Sequence, residues 1–288
     1  MLFDTHCHTY LCKQKSEEEI LLNIQNQNNL FITNVGVDLE SSKHNIEVAG
    51  KYNFAYASVG VHPCDIGKYP NLDETINMLE KLAKNNKVVA IGECGLDYYR
   101  LKKEFENNKQ CNVSKDLSEC QNNVLNKNTV NSEEQKKQLQ KDFFIAQIQL
   151  AKKLKLPLII HNREAKNDII EILKEINFKN FILHCFSEDL EFALTCLDFA
   201  PNCMISFSGI LTFNSAKNIQ ETVTKIPLKN ILIETDSPYL TPTPFRGQEN
   251  YPNYVEYVFE KLCNLRTESK EKIENQVFKN SLDIFNIK

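Results

Sequence analysis

The sequence predicts an α/β protein built on a parallel sheet, and three observations carry that expectation. Eight short apolar runs recur along 288 residues, each followed by a longer stretch of helical periodicity, and no apolar run approaches the length that spans a bilayer. The runs are Leu2–Cys7, Phe31–Val37, Ala55–Val61, Val88–Gly92, Leu158–His161, Phe181–Cys185, Met204–Ser208 and Ile231–Glu234. A closed eight-stranded barrel fits their number and the chain length, and a doubly wound open sheet is the rival. No G-x-G-x-x-G or Walker sequence follows any run, which weakens the nucleotide-binding form of that rival.

The stretches between the runs supply the helices. Ser16 with Glu19 forms a capping box ahead of Ile20, Leu21 and Ile24. Phe144, Ile148 and Ala151, with Phe143, Leu150 and Leu154 beside them, make a broad helical stripe. Ile169, Leu173 and Ile176 make another, and Val255, Val258, Phe259 and Leu262 a further one. One segment breaks the pattern. From about Leu101 to Ser132 the chain is rich in Asn, Lys, Glu and Ser, a composition that buries too little apolar surface to offset its ordering entropy. It reads as a mobile loop inserted after the fourth strand, on the face where a barrel carries its catalytic groups. The chain as a whole, 1–288, reads as one domain with this low-complexity insertion at about 101–134.

With 42% hydrophobic and 25% charged residues, the composition is that of a soluble globular protein. The net charge of −4 gives no bulk attraction for nucleic acid, so any grip on a phosphate backbone must come from a local basic or metal-bearing site. The first strand begins at residue 2, which leaves no room for a signal peptide. A cytosolic location is the default expectation, with the nucleus as the alternative, no membrane association and no obligate protein partner. Ten cysteines occur without a C-x-x-C pair, so they read as small hydrophobes and not as a zinc ribbon or a disulfide framework. Cys7, Cys94 and Cys185 each neighbour a metal-capable residue, but strand alternation is expected to turn them to the opposite face.

The chemistry gathers at the ends of the runs. In Asp4-Thr5-His6-Cys7-His8, alternation on a strand points Asp4, His6 and His8 one way. Two imidazoles hold a metal ion only if more ligands arrive from elsewhere, and the opening alone leaves an ordinary polar strand end equally open. Glu93 ends the fourth run, His161 the fifth and His184 the sixth, while Asp236 follows the eighth. A parallel barrel brings these positions to one face, where four imidazoles and two carboxylates suffice for two divalent ions with open positions. A lone histidine at a strand end is more often a hydrogen-bonded core residue than a ligand. Four of the six histidines falling at strand ends of one predicted face make coincidence the poorer account.

Longer motifs extend the pattern. H-C-H near the start, G-V-H-P at 60–63, G-E-C-G-L-D-Y-Y-R at 92–100, L-P-L-I-I-H-N-R-E-A at 156–165 and H-C-F-S at 184–187 resemble the TatD family of metal-dependent deoxyribonucleases. So do S-F-S-G-I-L-T-F at 206–213, E-T-D-S-P-Y-L at 234–240 and P-F-R-G-Q-E-N-Y-P at 244–252. The resemblance runs through nearly the whole chain in order, except the segment around 101–134, and Glu188 stands where members usually carry Gly. It implies a TIM-type (β/α)8 barrel of the amidohydrolase superfamily, with the inserted loop after strand 4. It implies His6, His8, Glu93, His161, His184 and Asp236 as metal ligands, with Glu93 bridging two divalent ions. The implied activity is hydrolysis of DNA phosphodiesters, typically as a 3′–5′ exonuclease preferring single strands, with magnesium support.

On this reading His6, His8 and Asp236 hold one ion, His161 and His184 the other, and Asp236 orients the attacking water or takes its proton. Asp4 and Glu234 are expected to stand behind the ligands. His62, Arg163 and Arg246 are the candidates for phosphate contacts, and Tyr98 and Tyr99 for a stacking surface. Magnesium or manganese is expected to support activity, although imidazoles favour zinc, iron, nickel or manganese in the protein as isolated. Two alternatives stand beside the nuclease. One is an ester hydrolase on the same site, such as a D-aminoacyl-tRNA deacylase. The other is a metal-binding interaction protein without catalysis.

Overall fold

The computed structural model describes residues 1–113 and 132–288, apart from the side chains of 107–113. Eight parallel strands lie in sequence order: β1 (Leu2–Cys7), β2 (Leu30–Asn34), β3 (Ala55–Val59), β4 (Val88–Asp97), β5 (Leu158–Arg163), β6 (Phe181–Leu183), β7 (Met204–Phe207) and β8 (Ile231–Ile233). A parallel bridge between Cys7 and Ser237 brings the chain beyond β8 back to β1, with Asp236 N–H donating to His6 O at 2.9 Å and His8 N–H to Ser237 O at 2.8 Å. The sheet is therefore a nearly closed TIM-type barrel, and the open-sheet alternative falls away.

The helices follow as the periodicity predicts. Between β1 and β2 lies α1 (Glu17–Gln27), whose Ser16 hydroxyl accepts from Glu19 N–H at 3.1 Å and which buries Ile20, Leu21 and Ile24. Then come α2 (Leu39–Lys51), α3 (Leu72–Leu82), α4 (Tyr98–Val113), α5 (Glu133–Leu154), α6 (Lys166–Ile176), α7 (Leu190–Phe199), α8 (Lys217–Lys225), α9 (Val255–Leu265) and α10 (Lys270–Ile284). The apolar stripes of α5, α6 and α9 pack on the outside of the strands in one continuous buried cluster. None of the described helices is long and apolar enough to cross a membrane.

A second buried cluster joins Phe3, Val89, Ile159, Ile182, Met204 and Leu232 to Ile284 and Phe285 at the end of α10. These strand residues are the filling of one end of the barrel. Side chains alternate along a strand, so two residues beyond Ile159 and Ile182 come His161 and His184, and four beyond Leu232 comes Asp236. The site thus stands on a packed apolar floor.

Two expectations need correction here. The loop read from Leu101 begins as helix: α4 continues β4 directly, anchored by buried Leu101, with exposed Lys102, Lys103 and Glu104. Lysine and glutamate serve an exposed helix as well as a loop, so composition did not separate the two. The helix α5 starts where a full capping box forms, with Gln135 N–H donating to Ser132 Oγ and Ser132 N–H to Gln135 Oε1, each at 3.1 Å. What was read between 114 and 131, Cys120 included, lies outside the described residues. The second correction concerns β1. Its register shifts between Asp4 and Cys7, so simple alternation does not carry from Asp4 to His6 and His8.

Candidate metal centre

Five of the six histidines meet at the carboxyl ends of the strands around the buried carboxylate of Glu93. Its two oxygens face different neighbours. Oε2 lies 3.4 Å from His6 Nε2 and 3.9 Å from His8 Nε2. Oε1 lies 2.8 Å from His161 Nδ1, 2.9 Å from His184 Nε2 and 3.4 Å from His62 Nε2. On the first side Asp236 Oδ1 completes the group, 3.7 Å from His6 Nε2 and 3.6 Å from His8 Nε2. All six residues singled out as ligands are therefore in one place, divided into two donor groups by Glu93.

For His8, His161 and His62 the far-side hydrogen bond indicates which nitrogen keeps its lone pair. His8 Nδ1 donates to Val35 O at 3.0 Å, which leaves Nε2 with its lone pair toward Asp236 and Glu93. His161 faces Asp97 Oδ2 through Nε2 at 3.2 Å, and His184 faces Glu234 Oε1 through Nδ1 at 3.5 Å. His62 is the opposite case. Its Nδ1 accepts from Cys64 N–H at 3.0 Å, so its proton sits on Nε2 and points at Glu93. His62 thereby presents an N–H to Glu93 and not a lone pair, although it stands as close to Glu93 as His6 does.

The electrostatics agree with a cation site. Burial alone would raise the Glu93 carboxyl, but the His184 and His62 imidazoles and the hydrogen bonds from His161 and His184 hold it well below the carboxylate range. Burial likewise opposes ionisation of Asp236, and the hydrogen bond with His8 and the charges of His6 and His184 overcome it. His6 and His62 are lowered, first by burial. Burial works against protonation of His161 and His184 too. The hydrogen bonds of His161 to Asp97 and Glu93, and the Glu93 charge beside His184, nonetheless raise both. The Nε2 atoms of His6 and His8 face each other at 3.2 Å with two anionic oxygens beside them, and Glu234 Oε2 is buried without a hydrogen-bond partner. Imidazole nitrogens and carboxylate oxygens gathered this closely, as in the group of His6, His8 and Glu93, are a donor set that can hold a metal ion.

The supporting residues differ from expectation in two places. Asp4 meets neither imidazole: it accepts from Thr235 N–H at 2.8 Å, Thr235 Oγ1 at 2.6 Å and His6 N–H at 3.2 Å. Its bearing on the centre runs through the backbone of Thr235, the neighbour of Asp236. Cys7 and Cys94 turn away, donating to Thr33 O and Ile159 O, but Cys185 lines the cleft. The strand β6 ends at Leu183 and Cys185 has a φ of 44°, so alternation no longer governs it. Glu234 stands beside His184 and also accepts from Cys185 N–H at 2.6 Å.

Above the centre opens a cleft of 560 Å³ lined by His8, His62, Arg100, Arg163, Asp236 and Tyr239 among others. Arg163 lies in it, its guanidinium 4.0 Å from the Tyr99 ring centroid. Tyr98 is instead tied to Asp168. Arg246 is exposed and stacks on Phe213 at 3.8 Å, apart from the cleft lining.

Four supporting residues escaped the sequence reading. Asp97 and Arg100 both lie in the quoted G-E-C-G-L-D-Y-Y-R stretch, with Asp97 four residues beyond Glu93 on the same strand. The other two are Gln140 and Gln147 on α5. Gln147 Oε1 accepts from Val61 N–H at 2.8 Å while its Nε2 donates to Val61 O at 3.1 Å. Gln140 does the same for Asp97, accepting at 3.0 Å and donating at 3.3 Å. Seven residues apart, they occupy one helix face and hold the segments that carry His62 and Asp97. Between Glu93 and Asp97, Gly95 has a φ of 143° and lies so close to β5 that a Cβ there would stand 2.0 Å from His161 O.

Comparison with known proteins agrees with this architecture over its whole length. The family described as TatD related DNase matches residues 3–286. YabD of Bacillus subtilis, described as an uncharacterized metal-dependent hydrolase, is 36% identical over 290 residues and covers 100% of both chains. YcfH of Escherichia coli K12, described in the same words, is 32% identical and covers 99% of this chain and 96% of its own. Among solved structures, YJJV, a TatD homolog from Escherichia coli K12, superposes with a TM-score of 0.81 at 26% identity, covering 100% of this chain and 98% of the other. A TatD family hydrolase from Entamoeba histolytica shares the fold, with a TM-score of 0.75 at 22% identity over 98% and 97% of the two chains. A match that spans the barrel from its first strand to its last helix settles the family: the chain belongs to the TatD family of metal-dependent hydrolases.

Proposed function

We propose that this hydrolase cleaves phosphodiester bonds of DNA, as a 3′–5′ exonuclease on single strands, with two divalent ions held about Glu93. The observation that carries the two-ion reading is the division of labour within one carboxylate. Glu93 Oε2 faces His6 and His8, with Asp236 completing that group, and Oε1 faces His161 and His184. When bound, the ions supply a Lewis acid for the phosphoryl oxygen and acidify the attacking water. Magnesium or manganese serves turnover on this reading, and the four imidazoles suit zinc, iron or nickel in the isolated protein.

The chain's own groups do the rest. Asp236, held as an anion, accepts a hydrogen bond from the attacking water and takes its proton. His62, held neutral with its proton on Nε2, donates to a non-bridging phosphoryl oxygen. Arg163 and Arg100 at the cleft wall supply the local positive charge that a chain of net charge −4 otherwise lacks. Those two arginines support a phosphodiester over a neutral ester.

The test is digestion of 3′- and 5′-labelled single-stranded and duplex DNA by the wild type, Asp236→Asn and Glu93→Ala. Metal-dependent shortening from the 3′ end by the wild type, lost in both variants, is the expected result. No cleavage by the metal-loaded wild type would overturn the nuclease reading, and cleavage retained by Glu93→Ala would overturn the assigned centre.

A further inference from the structure

The two donor groups around Glu93 are not supported alike, and the difference lies in Asp97. His8 leans on a backbone carbonyl, whereas His161 leans on a carboxylate that is itself fully buried. Asp97 has one oxygen already committed: Oδ1 accepts from Arg100 N–H at 2.7 Å. Its peptide on both sides is clamped by Gln140. Only Oδ2 is left to turn toward the centre, and it stands 3.2 Å from His161 Nε2, with Cys64 Sγ at 3.7 Å and Arg100 Nε at 3.6 Å as its other neighbours.

We infer that Asp97 is a positioning residue that fixes the His161 tautomer and so sets the metal affinity of the group formed by Glu93 Oε1, His161 and His184. A carboxylate only accepts hydrogen bonds, so a His161 that holds an ion carries its proton on Nε2, toward Asp97, and gives the ion its Nδ1 lone pair on the side where Glu93 Oε1 stands 2.8 Å away. The opposite tautomer would place a proton where the ion is to be held. Carboxylate-backed imidazoles are also the more basic ligands, and losing such a partner lowers metal affinity about 10–100-fold.

The same geometry says what the isosteric change does. In Asp97→Asn the Arg100 N–H still requires an acceptor, so the amide oxygen takes the Oδ1 place and the NH2 group faces His161. Two donors then meet unless His161 moves its proton to Nδ1, which removes its lone pair from the centre.

The inference rests on the two-ion reading and is tested so that the two fail separately. Zinc is titrated into the full-length wild type and Asp97→Asn by calorimetry, and the histidine tautomers of both zinc-loaded proteins are read by long-range 15N–1H NMR. The expected result is two zinc events in the wild type, of which one weakens about 10–100-fold in Asp97→Asn while the other holds. His161 should show an Nε2 proton in the wild type. Equal affinities in the two proteins, or an Nδ1 proton on His161 of the zinc-loaded wild type, would overturn the role of Asp97 alone. The second readout needs no variant to fold. Fewer than two zinc events in the wild type would overturn the two-ion reading and this inference with it.

Discussion

Gln147 offers the sharpest test of how the helical layer supports the centre, because its side chain pairs both main-chain groups of one strand-end residue while also reaching Phe143 O at 3.3 Å. It is buried on α5 and pairs both main-chain groups of Val61, itself fully buried, immediately before His62. Gln147→Leu keeps a branched side chain one atom shorter and removes both partners. A buried peptide group left unpaired costs about 1–3 kcal/mol, so two cost ~2–6 kcal/mol. The leucine returns about 1–2 kcal/mol of apolar burial, which leaves a net loss of about 3 kcal/mol. For a chain of this size a melting point falls by ~2 °C per kcal/mol, giving a drop of about 6 °C. The companion variant Gln149→Leu lies two residues away on the exposed face of the same helix and should change stability by less than ~0.5 kcal/mol. Urea unfolding of the three proteins measures the difference. Since Val61 leads into His62, the activity of Gln147→Leu on DNA should fall about tenfold while its metal content stays that of the wild type. A stability loss no larger than that of Gln149→Leu would refute the reasoning, because it would mean that water or a shifted loop satisfies Val61 as well as the glutamine does.

Three further outcomes follow from the same geometry. His62→Ala should retain the full complement of metal by native mass spectrometry and lose about 10–100-fold in kcat/KM, the worth of one hydrogen bond to a charged group; loss of a metal equivalent would make His62 a ligand after all. Gly95→Ala, which drives a Cβ to 2.0 Å from His161 O at a φ that side chains rarely adopt, should cost ~3–5 kcal/mol, and wild-type melting and metal content would contradict the close approach of β4 to β5. Tyr239 is 54% exposed at the mouth of the cleft, so Tyr239→Ala should raise KM for single-stranded DNA by the ~1–3 kcal/mol of one stacked base and leave a small aryl phosphodiester unaffected; an equal loss on both substrates would rule out stacking.

What the sequence disclosed and what it hid divide along a physical line. Each residue gathered at Glu93 was legible because its signal is local: an apolar run that ends in a histidine or carboxylate states both the strand and the residue standing at its mouth. His161 and His184, each two residues beyond a buried isoleucine, show how little more is needed once the strands close. The α4 helix was hidden because beyond Leu101 it offers exposed lysines and glutamates, which serve a helix and a loop equally. The bulge in β1 was hidden because a register shift depends on the partner strand, and it separated Asp4 from the imidazoles it was grouped with.

The supporting residues were hidden for a different reason, and it makes them interpretable. Glutamine at 140 and 147 contradicts the apolar face that Phe143, Phe144, Ile148 and Ala151 establish on α5. A buried amide is costly unless something across the interface needs both a donor and an acceptor, and an unpaired stretch of main chain is such a thing. Val61 and His62 lie beyond the end of β3. Asp97, the last residue of β4, pairs with Arg163 of β5 but has no partner on the β3 side among the described residues. Peptide groups of both segments therefore need acceptors and donors from elsewhere. The two glutamines supply them from outside the barrel. Polarity that breaks the period of a core-facing helix therefore marks where main chain beside a site runs out of strand partners. In this chain that rule leads from α5 to His62 and Asp97, the two supporting residues whose roles the zinc and His62→Ala experiments separate.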